Sequence, residues 1–267
     1  MNLRRLFANV KTSWSNRASV VDFARRMIWI YSGKLPIALS REDWTIGFCY
    51  PEPIRNIRLL LRANFGADAF IHEEVFEHQY YRVPLERAPA TILDLGANIG
   101  LSSIYFSRIF PDAHLACVEP VPGNLRLLKK NLDMNGVCAT VFEAAIDPRD
   151  GFLSIELDSM DYAHRVARNT MTSRKTLKVD ALSVPTVLQR LGWNRIGLLK
   201  VDIEGHEAAL FSHDCDWLTR VDAICIECHD EFDEDKLQKV TQRFGFTRPR
   251  RLPGIWFMVR EAHMTTV

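Results

Sequence analysis

The sequence lacks any apolar run that could cross a membrane, and it has few cysteines. None of its hydrophobic stretches reaches the roughly 18 residues that a transmembrane helix requires. Six cysteines are too few for a disulfide framework in a chain of 267 residues, so a reducing compartment is expected. Lys11 and Ser13 interrupt the apolar segment that a signal peptide would need after Arg4 and Arg5. We therefore predict a cytoplasmic protein.

The sequence also lacks an excess of charge of either sign. It contains 34 Lys and Arg residues against 33 Asp and Glu residues, which gives a formal net charge of +1. Proteins that bind nucleic acid usually present a basic surface to the phosphates, so we expect no nucleic-acid partner. With 47% hydrophobic residues and no internal repeat, the chain is typical of one globular domain, with or without a small extension.

Positive charge is nevertheless concentrated in residues 1–34, which hold seven Lys or Arg residues and a single acidic residue, Asp22. Apolar residues are interleaved with them, as in an amphipathic helix. Such a segment would pack on the main domain or on another subunit of a homo-oligomer, or it would make a peripheral contact with an anionic membrane. We favour packing, because helices with an apolar face usually pack on protein.

The organisation of the chain changes near residue 90. Before that point, prolines at 36, 51, 53 and 84 interrupt the pattern, and we expect short helices and strands that form a cap. We therefore predict an N-terminal, mainly helical extension and cap over residues 1–87 and a main domain over residues 88–267.

In the main domain, strand-like runs alternate with helix-like runs. The predicted strands are Thr91–Leu95, Leu115–Glu119, Ala139–Ala144, Phe152–Leu157, Gly197–Asp202, Ala223–Glu227 and Ile255–Arg260. The predicted helices are Ser102–Arg108, Gly123–Met134, Val184–Leu191, Glu207–Phe211 and Asp235–Phe244. This alternation predicts an α/β fold with a mainly parallel sheet that helices cover on both faces.

A glycine-spaced turn follows the first of these strands. It has the form Gly96-x-Asn98-x-Gly100, and a helix begins directly after it. Glycine lets the backbone approach a ligand closely, and ligands of open α/β sheets bind beyond the carboxyl ends of the strands. The turn lacks the G-x-G-x-x-G pattern of dinucleotide binders, which argues against NAD or FAD. Glycine turns also occur without any ligand, so this turn alone decides nothing.

An acidic residue at the end of the next strand makes a nucleoside cofactor the better interpretation. Glu119 follows the turn by about 20 residues, a spacing at which a carboxylate accepts hydrogen bonds from ribose hydroxyls. The alternative is an ordinary exposed glutamate at a strand end.

Four ordered blocks resemble the FkbM-type family of S-adenosylmethionine-dependent methyltransferases. They are DLGANIG (94–100), EPVPGNLRLLKKNL (119–132), LLKVDIEGHE (198–207) and IECHD (226–230). The resemblance implies a class I methyltransferase fold, Rossmann-like with a mostly parallel seven-stranded sheet. It also implies O-methylation of a hydroxyl on a sugar, polyketide or similar small molecule.

The resemblance also implies where the cofactor lies. The methionine end would contact Asp94, Gly96, Asn98 and Gly100, and the ribose would be held by Glu119. Asn124 would lie near the same pocket, and Ala145, between Ala144 and Ile146, would contact the adenine.

Acidic and imidazole side chains mark the expected acceptor side. Strand alternation places Asp202 at a carboxyl strand end and puts Glu227 and His229 on one side of the next strand. A hydroxyl acceptor needs a general base or a metal that lowers its pKa. We favour His229 or Asp202 as the base, with Glu227 orienting the acceptor. The alternative is a Mg²⁺ ion held by Asp202 and Glu227, with or without His229.

Neighbouring residues have simpler explanations. Glu204 and Glu207 would cap a helix start, and Lys200 would form a structural ion pair. The polar stretch 158–165 would contact the acceptor or form a surface loop. Two other functions remain open: a nicotinamide-dependent oxidoreductase, and a non-catalytic binding module that uses the basic N-terminus on membranes.

Overall fold

The computed structural model describes residues 3–31, 43–62, 66–156, 165–166 and 176–261. Its α-helices are α1 (Leu3–Ser15), α2 (Val20–Tyr31), α3 (Ala67–His72), α4 (Leu101–Ile109), α5 (Pro122–Met134), α6 (Val184–Leu191), α7 (Glu207–Leu210) and α8 (Glu234–Thr241). Its strands are β1 (Asp43–Cys49), β2 (Asn56–Arg62), β3 (Thr91–Leu95), β4 (His114–Val118), β5 (Ala139–Phe142), β6 (Ala145–Ile146), β7 (Gly151–Glu156), β8 (Arg165–Val166), β9 (Thr176–Leu182), β10 (Leu198–Val201), β11 (Ala223–Ile226), β12 (Arg250–Arg251) and β13 (Trp256–Val259). A π-helical turn at Glu73–Glu77 continues α3. Across these ranges no helix combines the length and the apolar character needed to cross a membrane.

A seven-stranded sheet forms the centre of the main domain, in the order β12-β13-β11-β10-β3-β4-β5. The five strands from β11 to β5 are parallel, and β13 runs antiparallel to both of its neighbours. The first strand of this sheet in the sequence, β3, lies in its middle. The next strands, β4 and β5, extend the sheet on one side, and β10 and β11 extend it on the other, so the strand order reverses between β3 and β10. Ligands bind open α/β sheets at such a reversal. The structure thus confirms the predicted class I methyltransferase fold.

Each strand of this sheet sends alternate side chains to opposite faces, and helices cover both. On β3, Ile92 belongs to one apolar cluster and Leu93 to another. Helices α4 and α5 and the N-terminal segment pack on the first face, while α6, α7 and α8 pack on the second. Because both faces of the sheet are buried, its strands have nearly continuous apolar sequences.

One predicted strand pairs differently from the others. The segment predicted at 152–157 is β7, which lies in a separate sheet of order β6-β9-β7-β8. Strand β7 pairs antiparallel with β8 and with β9, and β9 had no counterpart in the sequence prediction. Apolar alternation identifies a strand but leaves its partner undetermined, which explains the difference.

The N-terminal segment contains a hairpin besides its helices, and the hairpin docks on α5. Asn135 exchanges hydrogen bonds with the backbone of Arg58, at 3.0 and 2.7 Å. Asn131 does the same with Leu60, at 2.6 and 3.1 Å. Two side-chain amides one helical turn apart therefore take the place of a neighbouring strand along the open edge of β2.

A half-buried glutamate joins the remaining N-terminal elements. One Glu77 oxygen lies 2.9 Å from the Arg26 guanidinium of α2 and 3.0 Å from the Tyr50 hydroxyl. The other oxygen accepts a hydrogen bond of 2.8 Å from Asn16. These contacts fix α2 and the hairpin to the π-helical turn that follows α3.

Candidate functional site

A cavity of about 460 Å³ opens at the carboxyl ends of the parallel strands. Main-domain residues form one wall, and side chains from α3, the π-helical turn and residues 80–81 form the other. Eight of the predicted site residues line it: Gly96, Asn98, Glu119, Asn124, Ala145, Asp202, Glu227 and His229. The residues predicted for the cofactor and those predicted for the acceptor therefore share one cavity.

The glycine turn closes against the backbone of Asp202. Gly96 has a φ of 75°, and a Cβ placed on it would lie 1.8 Å from the Asp202 carbonyl oxygen. Gly100 has a φ of 89°, and its Cβ would lie 2.7 Å from Leu128 Cδ1. Both positions therefore favour glycine for the backbone angle, and Gly96 requires it for the close contact with the Asp202 backbone as well. Gly100 lies against α5, and Gly96 borders the cavity.

Glu119 ties the turn to the start of α5. One oxygen accepts a hydrogen bond of 2.9 Å from the Asn98 backbone N–H. The other accepts from the Val121 backbone, at 2.9 Å, and from the Asn124 side chain, at 3.1 Å. Burial raises the pKa of Glu119, and these hydrogen bonds oppose that effect. The carboxylate is only 4% exposed, and it faces the cavity.

Arg62, from the N-terminal hairpin, reaches the same turn. Its guanidinium donates to Asn124 Oδ1 at 2.7 Å and to Asn98 Oδ1 at 3.5 Å. The fully buried Asp68 pairs with Arg62 at 2.8 Å and holds it in place. Arg62 carries no signal in the sequence, because its partners lie 36 and 62 positions away in the chain.

Asp94 lies beneath the cavity and supports the turn. Its carboxylate accepts hydrogen bonds of 2.6 Å from both Ser102 and Ser103. The Lys200 ammonium lies 3.1 Å from Asp94 and donates to the Gly96 carbonyl oxygen at 2.7 Å. Lys200 is thus a buried ion-pair partner, as its sequence context predicted. Asp94 itself is completely buried, so its carboxylate supports the turn from below.

The far end of the cavity is apolar, with a polar rim. Ala144, Ala145 and Ile146 line it, and all three are buried. His206 lines the same end, and its Nε2 lies 2.7 Å from Asp147 Oδ1. Small apolar side chains beside polar groups suit a heterocycle with hydrogen-bonding edges.

Asp202, Glu227 and His229 meet at the opposite end. Glu227 Oε1 lies 3.6 Å from His229 Nε2. The Asp202 carboxylate lies 3.6 Å from the Lys200 ammonium and accepts a hydrogen bond of 3.4 Å from the Tyr81 hydroxyl. Each of the three residues offers one ligand atom within 4.8 Å of the other two. The arrangement can accept a proton from an acceptor, and its spacing also suits one cation.

Glu207 positions His229, a role beyond helix capping. Its Oε1 lies 3.0 Å from His229 Nδ1 and accepts from the backbone of Ile203, at 3.1 Å, and of Gly205, at 3.4 Å. Burial lowers the pKa of His229, but the hydrogen bond to Glu207 and the nearby Asp202 outweigh it and raise the pKa to about 9.

Two further carboxylates crowd this end. Burial, together with the Glu227 and Asp202 carboxylates, raises the pKa of Glu74 to about 8. Burial and Asp202 likewise raise the pKa of Glu204 to about 8 and that of Glu227 to about 7. Glu74 comes from the π-helical turn of the cap. The only sequence signal for it was the cluster of acidic and aromatic residues at 73–81.

The polar stretch at 158–165 is predicted to contact the acceptor or to form a surface loop. Residues 157–164 lie outside the described part of the chain, as do residues 167–175. Their contact with an acceptor stays a prediction.

Known relatives by sequence include proteins named as methyltransferases. Methyltransferase sdnD of Sordaria araneosa is 30% identical over 189 residues, which cover 59% of this chain and 73% of that protein. The 31-O-demethyl-FK506 methyltransferase FkbM of Streptomyces tacrolimicus is 23% identical over 200 residues, which cover 62% of this chain and 76% of that protein. The crystal structure of methyltransferase FkbM from Methylobacillus flagellatus KT aligns with a TM-score of 0.49 at 13% identity. That alignment covers 96% of this chain and 59% of the other, so this chain spans less than two thirds of that protein.

The family model described as "Methyltransferase FkbM domain" matches residues 94–250, which is more than half of the chain. The match starts at Asp94 and includes the glycine turn, Glu119 and both acidic strand ends. This match favours a methyltransferase over the alternative of a nicotinamide-dependent oxidoreductase. The chain therefore belongs to the FkbM family of methyltransferases.

Proposed function

We propose that this protein transfers the methyl group of S-adenosylmethionine to a hydroxyl of a small-molecule or glycan acceptor. One observation carries the proposal: the glycine turn with Glu119 and the cluster of Asp202, Glu227 and His229 border the same cavity. A methyltransferase has to hold its donor and its acceptor in one place, since most of its work is to orient two reactants.

The residues present fit the donor. The backbone at Gly96 is free of side-chain bulk on the cavity side, and the Glu119 carboxylate faces the same space. Glu119 would accept hydrogen bonds from ribose hydroxyls, and Ala145 and Ile146 would pack on the adenine. The carboxylates of Asp202 and Glu227 give the opposite end of the cavity a negative potential, which suits a sulfonium cation. When bound, S-adenosylmethionine supplies a methyl group on a positively charged sulfur that leaves readily.

The cluster supplies the groups that a hydroxyl acceptor needs. An alcohol is a weak nucleophile while it keeps its proton, so a base has to take the proton as the methyl group is transferred. Asp202 is the group we assign to that role. Its backbone touches Gly96, which brings its carboxylate next to the donor site. His229 is held through Nδ1 by the buried Glu207, so its Nε2 is available to hydrogen-bond the acceptor beside Glu227.

The cap wall indicates the kind of acceptor. Phe70, Ile71, Val75 and Tyr80 line the cavity opposite the carboxylates. An apolar or ring-shaped carbon skeleton with a hydroxyl would pack on this wall and present its oxygen to Asp202. A sugar or a polyketide has this character. The name of the Streptomyces tacrolimicus relative, which refers to a 31-O-demethyl substrate, supports O-methylation.

A metal-assisted version of the same reaction is the second candidate. The three ligand atoms of Asp202, Glu227 and His229 lie within 4.8 Å of one another, a spacing that suits one divalent ion. Two oxygens and one nitrogen form a mixed donor set, whereas Mg²⁺ prefers oxygen ligands alone. We therefore favour the reaction without metal.

Calorimetry and product analysis test the proposal. S-adenosylhomocysteine should bind the full-length protein with a measurable heat, and NAD should give none under the same conditions. Incubation with S-adenosylmethionine carrying a ¹³C-labelled methyl group and a panel of hydroxylated sugars and polyketides should give an O–CH₃ resonance in the product. Binding of NAD in preference to S-adenosylhomocysteine, or a label found on nitrogen or carbon, would contradict it.

A further inference from the structure

We propose that the outer face of α1 and the start of α2 bind the surface of a bilayer that contains anionic lipids. This role is separate from methyl transfer, because it uses exposed side chains of α1 and α2, and no residue of these two helices lines the cavity. The first observation is the distribution of exposed apolar side chains. Five of the eight large hydrophobic side chains exposed in the described residues lie between positions 7 and 21: Phe7, Val10, Trp14, Val20 and Val21.

The three residues on α1 form a stripe along one side of the helix. Phe7, Val10 and Trp14 are spaced by three and four positions, so they lie one above the other on the same face. Their exposed fractions are 71%, 36% and 47%. The packed face is a different one: Ser13 is completely buried, and Asn9 donates a hydrogen bond of 3.0 Å to the Tyr31 hydroxyl of α2. Intramolecular packing of α1 therefore leaves much of the stripe exposed, although the Trp14 ring also packs edge-on against Phe23 of α2, with ring centroids 5.3 Å apart.

Basic side chains border the stripe. Lys11 is exposed and follows Val10 on α1, and the Arg17 guanidinium lies 3.6 Å from the centre of the Trp14 ring. The Arg25 side chain is 45% exposed on α2, and its guanidinium lies 3.9 Å from the buried Asp22 carboxylate. An aromatic and aliphatic face flanked by Lys and Arg is the arrangement by which helices lie in the headgroup region of a membrane.

No exposed acidic side chain balances this charge within residues 7–31. Asp22 is the single acidic residue of that range, and it is buried. Its carboxylate accepts hydrogen bonds from Ser19, at 2.6 Å, and from the Gly47 backbone, at 3.0 Å. The sign of the surface favours a negatively charged partner. It disfavours a second copy of this chain, because a symmetric contact through this face would oppose like charges.

Cosedimentation of the full-length protein with vesicles tests the proposal. The wild type should pellet with vesicles of phosphatidylcholine and phosphatidylglycerol and stay in the supernatant with phosphatidylcholine alone. Binding should weaken as salt is raised, because screening reduces attraction between exposed charges and the surface. The double variant Phe7→Ser, Trp14→Ser should bind at least about tenfold more weakly, since it removes two apolar side chains from the contact. The double variant Lys11→Gln, Arg25→Gln should lose about fivefold per charge.

Phe152→Ser is the matched control. Phe152 is 65% exposed and lies 4.2 Å from the Lys178 ammonium on another part of the surface, so its removal should leave vesicle binding unchanged. All variants should keep the S-adenosylhomocysteine affinity of the wild type, which separates vesicle binding from folding and from the proposed activity. The proposal is overturned if the wild type stays in the supernatant with anionic vesicles, or if Phe152→Ser loses as much binding as Phe7→Ser, Trp14→Ser. A wild-type dimer in light scattering that the same double variant dissociates, without vesicle binding, would assign the face to a second copy instead.

Discussion

The two ends of the cavity are built on opposite principles. At the cofactor end, Glu119 is a single carboxylate that accepts three protein hydrogen bonds, and Arg62 ties Asn98 and Asn124 from above. At the acceptor end, burial and mutual repulsion raise the pKa values of three carboxylates to about 7 or 8. Protein hydrogen bonds hold the first end in shape without a ligand, whereas the second has more negative groups than neutralising partners.

This difference assigns different tasks to the two ends. A dense hydrogen-bond network holds a rigid shape while Glu119 keeps accepting capacity for a ligand hydroxyl, so the cofactor end is suited to tight binding. Carboxylates whose pKa values are raised to about 7 or 8 gain and lose protons near neutral pH, so the acceptor end is suited to moving a proton. Substitutions at one end should therefore change cofactor affinity, and substitutions at the other should change turnover.

The largest effect is expected for Asp202→Asn. Loss of a positioned base should lower kcat by about a hundredfold to ten-thousandfold. The S-adenosylhomocysteine affinity should stay within a few-fold of the wild type, because Lys200 keeps its contacts with Asp94 and the Gly96 carbonyl. Steady-state kinetics and calorimetry on the same preparation measure the two quantities. Asp180→Asn, an exposed substitution on β9, serves as control and should change neither. Normal turnover in Asp202→Asn would remove Asp202 from the chemistry.

A smaller effect, and of the opposite kind, is expected for Glu119→Ala. A hydrogen bond to a charged group contributes roughly 1.5–3 kcal/mol, so S-adenosylhomocysteine should bind about tenfold to a hundredfold more weakly. Thermal unfolding checks that the variant stays folded, since the change also leaves the backbone N–H groups of Asn98 and Val121 without their partner. An unchanged calorimetric affinity would show that Glu119 has no part in holding the donor.

Arg62→Lys tests whether the cap stabilises the cofactor end. A lysine can still pair with Asp68, but it has a single donor head and would lose the contact with Asn124. We expect the S-adenosylhomocysteine affinity to fall by about threefold to tenfold, with kcat nearly unchanged at saturating donor. Arg126→Lys provides the comparison, because Arg126 makes an exposed ion pair with Asp43 and lies on the same helix as Asn124. An equal fall in S-adenosylhomocysteine affinity in both variants would mean that any Arg→Lys change near α5 weakens binding, and that the contact between Arg62 and Asn124 has no special part in it.

The smallest effect is expected from a chelator. Lys200 already places a buried cation 3.6 Å from Asp202, and a divalent ion bound there would be repelled by it. Turnover after dialysis against EDTA should therefore equal that of the untreated protein. A loss of activity that Mg²⁺ restores would favour the metal-assisted reaction, and would make Asp202 and Glu227 ligands.

Much of the main domain was predictable from local sequence patterns. The predicted strand at 91–95 and the predicted helix at 184–191 have the same bounds in the structure. Both are flanked by strong signals: a glycine turn follows the strand, and Ser183, followed two residues later by Pro185, starts the helix. The convergence of Asp202, Glu227 and His229 also followed from the sequence, because carboxyl ends of parallel strands share one edge.

The cap side of the cavity could not be predicted in the same way. Glu74, Tyr81 and Arg62 reach the cavity or its supports through contacts between elements that are far apart in the chain. Neither the periodicity of apolar residues nor the spacing of motifs in the sequence predicts such contacts. Glu207 was assigned to a helix start for the same reason, since its pairing with His229 spans 22 positions. The predicted boundary between residues 87 and 88 stays a prediction.

The contact between Gly96 and the Asp202 carbonyl has a consequence for the range of acceptors. Main-chain atoms set the separation between the glycine turn and the backbone of Asp202, and no rotamer change can widen it. A bulkier or differently shaped acceptor could be admitted only by remodelling the opposite wall, at residues 70–81. Attempts to redirect the proposed activity to other acceptors should therefore randomise that wall and leave both strand ends intact.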